Sequence, residues 1–248
     1  VVTFDQALAL DPDNADIQAE RDAASRKAKA LELKKKGEAE MEAADYAAAV
    51  SSLLAALDED PDNREIAAEE AEAAKKAKAA ELKADGKGLM AASEYANAAG
   101  VFAVAKSLDP AEPDLCALEA ECAAKAKALE LKLQAEHECD AKEFCEAVDT
   151  FDAALELWPE NSQMQAERAT VVCKLEALAL IKQAKDELAA DKAGKAVNHL
   201  KKALALDPDN EDIGSLKIEA EKKLKASKLL KEALQEMSDG DYAGAAGH

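Results

Sequence analysis

Apolar positions in this chain return in register every 49 residues. Leu33, Leu82, Leu131, Leu180 and Leu229 form one row, and Ala7, Ala56, Ala105, Ala154 and Ala203 another. A third row runs Ala49, Ala98, Ala147, Ala196 and Ala245, with bulky partners at Phe4, Leu53, Phe102, Phe151 and Leu200. Within a unit these residues recur at three- and four-residue intervals, the spacing of one face of a helix. Between the apolar stretches stand Pro12, Pro61, Pro110, Pro159 and Pro208, in the sequence Asp-Pro-Asp-Asn or a worn copy of it. Asn14, Asn63, Asn161 and Asn210 read as N-caps, with Asp16, Glu65 and Asp212 in the first turn where the helix dipole favours acids. Ile17, Ile66, Leu115, Met164 and Ile213 then open an apolar face that continues through Ala24 and Ala28 and their copies.

The pattern predicts an all-α chain. No proline falls between Asn63 and Ser93, so a long helix is expected from about Asn63 to Ala92. Each unit then holds one helix of roughly 28–30 residues and one of about 14, or about 43 Å and 21 Å of rise. A long helix that advances further than its short partner returns makes each unit climb by roughly 20 Å. The start of each long helix then lies beside the end of the previous one and beside the short helix, and the Ile17 row is covered. The expected architecture is an elongated stepped rod of overlapping three-helix bundles. Residues 1–248 form one array of five units, 1–49, 50–98, 99–147, 148–196 and 197–245. Both ends fall inside a short helix, so further repeats or an identical docked subunit are expected beyond Val1 and His248.

The rows resemble the tetratricopeptide repeat (TPR). The second copy carries the small residue, aromatic, alanine, phenylalanine, alanine and proline at that family's spacing, as Gly86, Tyr95, Ala98, Phe102, Ala105 and Pro110. The resemblance covers about 34 residues of a unit, and about 15 more form the helical extension. It implies a helical-hairpin solenoid and a protein-binding role. In TPR cochaperones a lysine and asparagine set grips a partner's C-terminal carboxylate. One of those lysines would fall at Lys34, Lys83 and Lys132, but Glu38, Lys87 and Glu136 replace the asparagine. The row remains a candidate partner-contact surface.

Composition narrows the function. Apolar residues are 49% of the chain but aromatics only 3%, so stability rests on many small contacts. A net charge of −20 argues against a nucleic-acid binder. No apolar run approaches the roughly 20 residues that cross a bilayer. Five cysteines, odd in number and confined to the middle units, read as small apolar fillers and point to a reducing, cytoplasmic or cytoskeleton-associated setting.

Lys27, Lys76, Lys125, Lys174 and Lys223 form the one charged row present in every copy. It is a candidate stripe for an acidic partner, set against a solvated face paired with nearby acids. The acidic turns lack the spacing of a calcium loop and read as caps. His137, Cys139 and Cys145 lack zinc spacing and read as core filling. Trp158, in place of the aspartate before a proline, is a candidate contact anchor or a packing variant. His199 and His248 have no triad partners in view, and no metal or cofactor is expected. The sequence predicts a non-catalytic spacer, scaffold or filament component that binds other proteins and associates head to tail. The alternative is a TPR-type adaptor holding a peptide in its groove.

Overall fold

A computed structural model describes residues 1–239. Over that span the chain forms ten helices: α1 (Val2–Leu10), α2 (Ala15–Glu42), α3 (Tyr46–Glu59), α4 (Arg64–Ala91), α5 (Tyr95–Leu108), α6 (Pro113–Asp140), α7 (Phe144–Leu157), α8 (Ser162–Ala189), α9 (Ala193–Leu206) and α10 (Glu211–Ser238). The expected alternation is present, with 28-residue long helices and 14-residue short ones. Tyr242, Ala245 and His248 lie outside the described residues. Contacts group the chain into two compact units that divide inside α6, Val1–Ala126 and Lys127 onward.

Local chemistry fixes both ends of each long helix. At the start, Asn14, Asn63, Asn161 and Asn210 accept the backbone N–H of Ile17, Ile66, Met164 and Ile213 at 3.0–3.4 Å. The aspartate before the proline holds that cap in place. Asp11, Asp60 and Asp207 each accept the asparagine's Nδ2–H at 2.9–3.0 Å. The third copy has Glu112 in place of the asparagine and starts α6 with Pro113, whose missing N–H costs nothing in a first turn.

At the other end, Ala44, Ser93, Lys142 and Asp191 adopt positive φ, 57–65°. Each closes a Schellman turn. In the first, Ala44 N–H donates to Met41 C=O at 3.0 Å and Asp45 N–H to Glu40 C=O at 2.9 Å. The pattern repeats at Ser93, Lys142 and Asp191. None of these residues is glycine, so each carries about 1 kcal/mol of left-handed strain. The fifth copy has Gly240 at this place in the sequence.

In the first unit, the second half of α2, all of α3 and the first half of α4 share one core of Ala30, Ala49, Leu53, Ala56, Ile66 and Ala73. The next level joins α4, α5 and α6 through Leu82, Ala98, Phe102, Leu115 and Cys122. In the second unit, α6, α7 and α8 meet around Ala128, Ala135, Phe151, Met164 and Val171. There too, α8, α9 and α10 meet around Ala177, Ile181, Leu200, Ile213 and Ala220. The extension row is therefore covered as expected: Ile66, Leu115, Met164 and Ile213 are fully buried. The Leu33 row is only half-buried, and Phe102 and Phe151 anchor their levels instead.

Close helix approach explains the small row. A Cβ on Gly37 would lie 2.7 Å from Leu53 Cγ, and one on Gly86 2.6 Å from Phe102 Cε1. Ala135 and Ala184 fill the same place in later copies and are buried in their cores.

Candidate functional site

The lysines singled out on the second half of the long helices each meet two or three carboxylates. Lys34 Nζ lies 2.8 Å from Glu38, 3.0 Å from Glu65 and 2.9 Å from Glu69, with its side chain only 12% exposed. Lys83 pairs with Glu112 at 2.7 Å and Asp114 at 3.0 Å. Lys132 pairs with Glu136 and, at 3.1 Å, with Glu167. Hydrogen bonds donated to Glu38, Glu69 and Glu65 hold the Lys34 ammonium well above the ordinary lysine range. A hydrogen bond to Glu112 raises Lys83, against the cost of partial burial.

Each lysine clips the end of one long helix to the start of the next. Glu65, Glu69, Asp114 and Glu167 belong to the helical extension beyond TPR length. The place where the resemblance would put a partner's carboxylate thus holds carboxylates of the same chain. Sequence reasoning missed these acids, although Glu65 and Asp114 stand at one fixed interval from Lys34 and Lys83.

The Lys27 row has a different surrounding in each copy. Lys27 is exposed. Lys76 lies 6.0 Å from the Tyr46 ring centroid and 3.3 Å from Glu72, and Lys125 lies 5.4 Å from the Tyr95 ring and 2.6 Å from Glu121. Such cation–ring contacts contribute about 0.5–1 kcal/mol on a wet surface. Ala193 stands where earlier copies have Tyr46 and Tyr95, and there Lys223 pairs with Glu219 at 3.1 Å. Lys174 is half-buried, and its charge draws the Cys139 thiol down while burial, the larger effect, pushes it up. Trp158 packs, half-buried, against Ala128, Ala154 and Met164. It follows α7 as the C-cap, its N–H donating to Ala154 C=O at 3.0 Å.

Other polar groups also face partners within the chain. Arg168 grips Asp152 through two nitrogens, and His199 Nδ1 meets Glu187 at 2.9 Å. Among the described residues, no group of three or more His, Cys, Asp or Glu could hold a metal, so His137, Cys139 and Cys145 are not gathered into a site. All five cysteines are free, with Cys122 buried. No described helix is long and apolar enough to cross a membrane. The clefts are open troughs between long helices. One of about 170 Å³ is lined by Glu38, Met41, Leu53, Glu69 and Glu72, and another of about 430 Å³ by Ile181, Lys185, Asp212, Leu216 and Glu219. No protein-family model matches the chain, and no curated protein matches it.

Proposed function

We propose that this chain is a non-catalytic structural segment of helical-repeat type, a spacer or scaffold that presents other proteins, and copies of itself, at fixed intervals. The observation that carries this reading is the use to which the charged rows are put. Lys34, Lys83 and Lys132 hold acids of the next repeat, and Lys76 and Lys125 lie on tyrosine rings of the preceding one. A peptide-binding adaptor needs such groups turned outward and varied from copy to copy. Here they bind unit to unit.

Deleting one whole period tests the reading. Removal of residues 64–112 joins Asn63 to Pro113 and keeps the cap, while removal of 113–161 joins Glu112 to Ser162. Both shortened chains should remain helical and unfold cooperatively in urea, and should cross-link to the same cellular proteins as the parent. A binding partner or a chemical activity lost with one particular unit, and retained without the other, would overturn it.

A further inference from the structure

The outer face of α9 carries a charge that no other short helix has. Lys192, Lys195, Lys201 and Lys202 are all exposed, and none is paired with a carboxylate among the described residues. Lys192 stands where earlier copies have Asp45, Glu94 and Glu143, and Lys195 where they have Ala48, Asn97 and Glu146. Lys202 replaces Ala55, Val104 and Ala153. Helix α7, one repeat earlier, bears Glu146, Asp149, Asp152 and Glu156 and no base. The adjoining wall has changed in the same direction. A Cβ on Gly194 would lie 3.7 Å from Leu224 Cδ1, so α10 passes α9 there. One turn beyond Leu224, exposed Lys228 stands where Glu32, Glu81 and Glu130 stand in earlier copies. In two of those copies the glutamate neutralises a lysine three residues back, as Lys78–Glu81 at 2.7 Å and Lys127–Glu130 at 2.9 Å. Lys225 has Lys228 in that place instead. In a chain of net charge −20, these changes gather unneutralised positive charge at one spot.

We propose that the outer face of α9, with Lys228 beside it, docks a short acidic segment of another protein. This goes beyond the scaffold reading, which treats the units as equivalent, by giving one unit a partner surface of its own. Dimensions and chemistry select the occupant. Lys192 to Lys202 spans about 15 Å at the helical rise of about 1.5 Å per residue. An extended peptide covers that length in about five residues, at about 3.3 Å each. Acids bound the face at both ends, since Asp191 precedes Lys192 and Asp207 and Asp209 follow α9. At physiological salt an exposed charge is felt over about 8 Å. A short carboxylate-rich segment therefore meets the lysines alone, whereas a long polyanion or a membrane plane runs on to the flanking carboxylates. The face has no aromatic ring on which a nucleobase would stack and no arginine to fork onto a phosphate. It also has nothing to insert into a bilayer, because Val197, Leu200, Leu204 and Leu206 all pack on the core.

The test is fluorescence anisotropy of rhodamine-labelled octaglutamate titrated with the full chain at about 20 mM salt, where charges act over about 20 Å. The peptide should bind, and raising the salt to about 150 mM should weaken binding at least about threefold. Lys195→Glu with Lys202→Glu should weaken it at least about tenfold, because like charges then face each other. Lys35→Glu with Lys75→Glu makes the same change in net charge on α2 and α4 and should shift the affinity by less than about twofold. All four positions are exposed, so the melting curves of both variants should match the parent's. Lys195→Gln with Lys202→Gln, which adds no repulsion, should still weaken binding about threefold. A parent that ignores the peptide, an equal loss in the two reversal pairs, or no loss in the glutamine pair would each overturn the proposal. So would tighter binding of phosphatidylserine vesicles, or of an oligothymidylate of equal charge, than of octaglutamate. The chain lacking residues 64–112 keeps α9. Its binding of the peptide therefore reports on this face whether or not the scaffold reading survives.

Discussion

Two neighbouring levels in the second unit share α8 and solve one problem in opposite ways. Where α6 meets the start of α8, Lys132 is held by Glu136 and Glu167. Forty-nine residues on, where α8 meets the start of α10, the same two places carry Ile181 and Leu216, and both join an apolar cluster. The backbone supports either pair, because the helix lengths and caps are the same at both levels. The change is made on both sides of the seam at once. A lysine facing a leucine must find its acids elsewhere, and an isoleucine facing a glutamate strands a carboxylate. These two seams are matched pairs, whereas Lys83 faces Leu118 and is held by Glu112 and Asp114 instead.

The comparison predicts first that what both levels share is what stability chiefly depends on. Phe151→Ala at the ionic level should cost about 3–5 kcal/mol and Leu200→Ala at the apolar one about 2–5 kcal/mol, read from urea unfolding. Losses below about 1 kcal/mol at either would mean that the seam, and not the core, holds the levels together. Leu131→Ala should cost less than either, because that row is only half-buried.

A mixed seam should be worse than either matched one. Ile181→Lys alone should destabilise by about 1–3 kcal/mol, since it sets an ammonium against Leu216 where Asn210 stands in place of the Glu112 that holds Lys83. Adding Leu216→Glu should recover more than half of that loss, and a double-mutant cycle measures the coupling. An additive cycle would show that the two positions do not sense each other.

Alkaline pH separates the levels further. Folding raises the Lys83 and Lys132 pKa values, so their stabilisation is fully present below the unfolded lysine value, about 10.4, and fades as pH rises through the higher folded one. A chain with Lys83→Ile, Leu118 already facing it, should lose less stability than the parent between pH 10 and 12. An equal loss in both chains would place the titration elsewhere.

The smallest effect concerns the turns. Ala44→Gly and Lys142→Gly should each stabilise by about 0.5–1 kcal/mol by relieving left-handed strain. No gain in midpoint would mean that the added freedom of the unfolded chain cancels the relief.

Much of the fold was legible because the repeat reports it five times over. The asparagine caps, the proline turns and the cover over Ile66, Leu115, Met164 and Ile213 all follow from residues that recur at one spacing. The Schellman turns were not legible, because Ala44, Ser93, Lys142 and Asp191 share no side-chain chemistry, and Gly240 alone carries the usual signal. The lysine rows were visible as rows, but their partners were not. Glu69 and Glu167 face Lys34 and Lys132, whereas Leu118 and Leu216 occupy the same place in the other copies. An acid present in only some copies is averaged away when the copies are laid over one another. The Tyr46 and Tyr95 contacts are hidden similarly, since the two partners lie on different helices and only three-dimensional packing brings them together.

The matched seams also bear on how such a chain finds its own shape. Five near-copies of one unit offer many wrong pairings, in which the start of one long helix lies on the end of a long helix two units away, or in another molecule. The cores alone would accept most of these, because their alanines and leucines are interchangeable. A start bearing Glu167 placed on the end bearing Ile181 buries a carboxylate without its lysine, and a start bearing Leu216 placed on Lys132 leaves the ammonium only Glu136 of its own helix. Misassembly between repeats is a characteristic failure of this class of chain during synthesis and refolding. The seam residues act as an address that each long helix checks before it settles, and variation among otherwise uniform units is what makes the address readable.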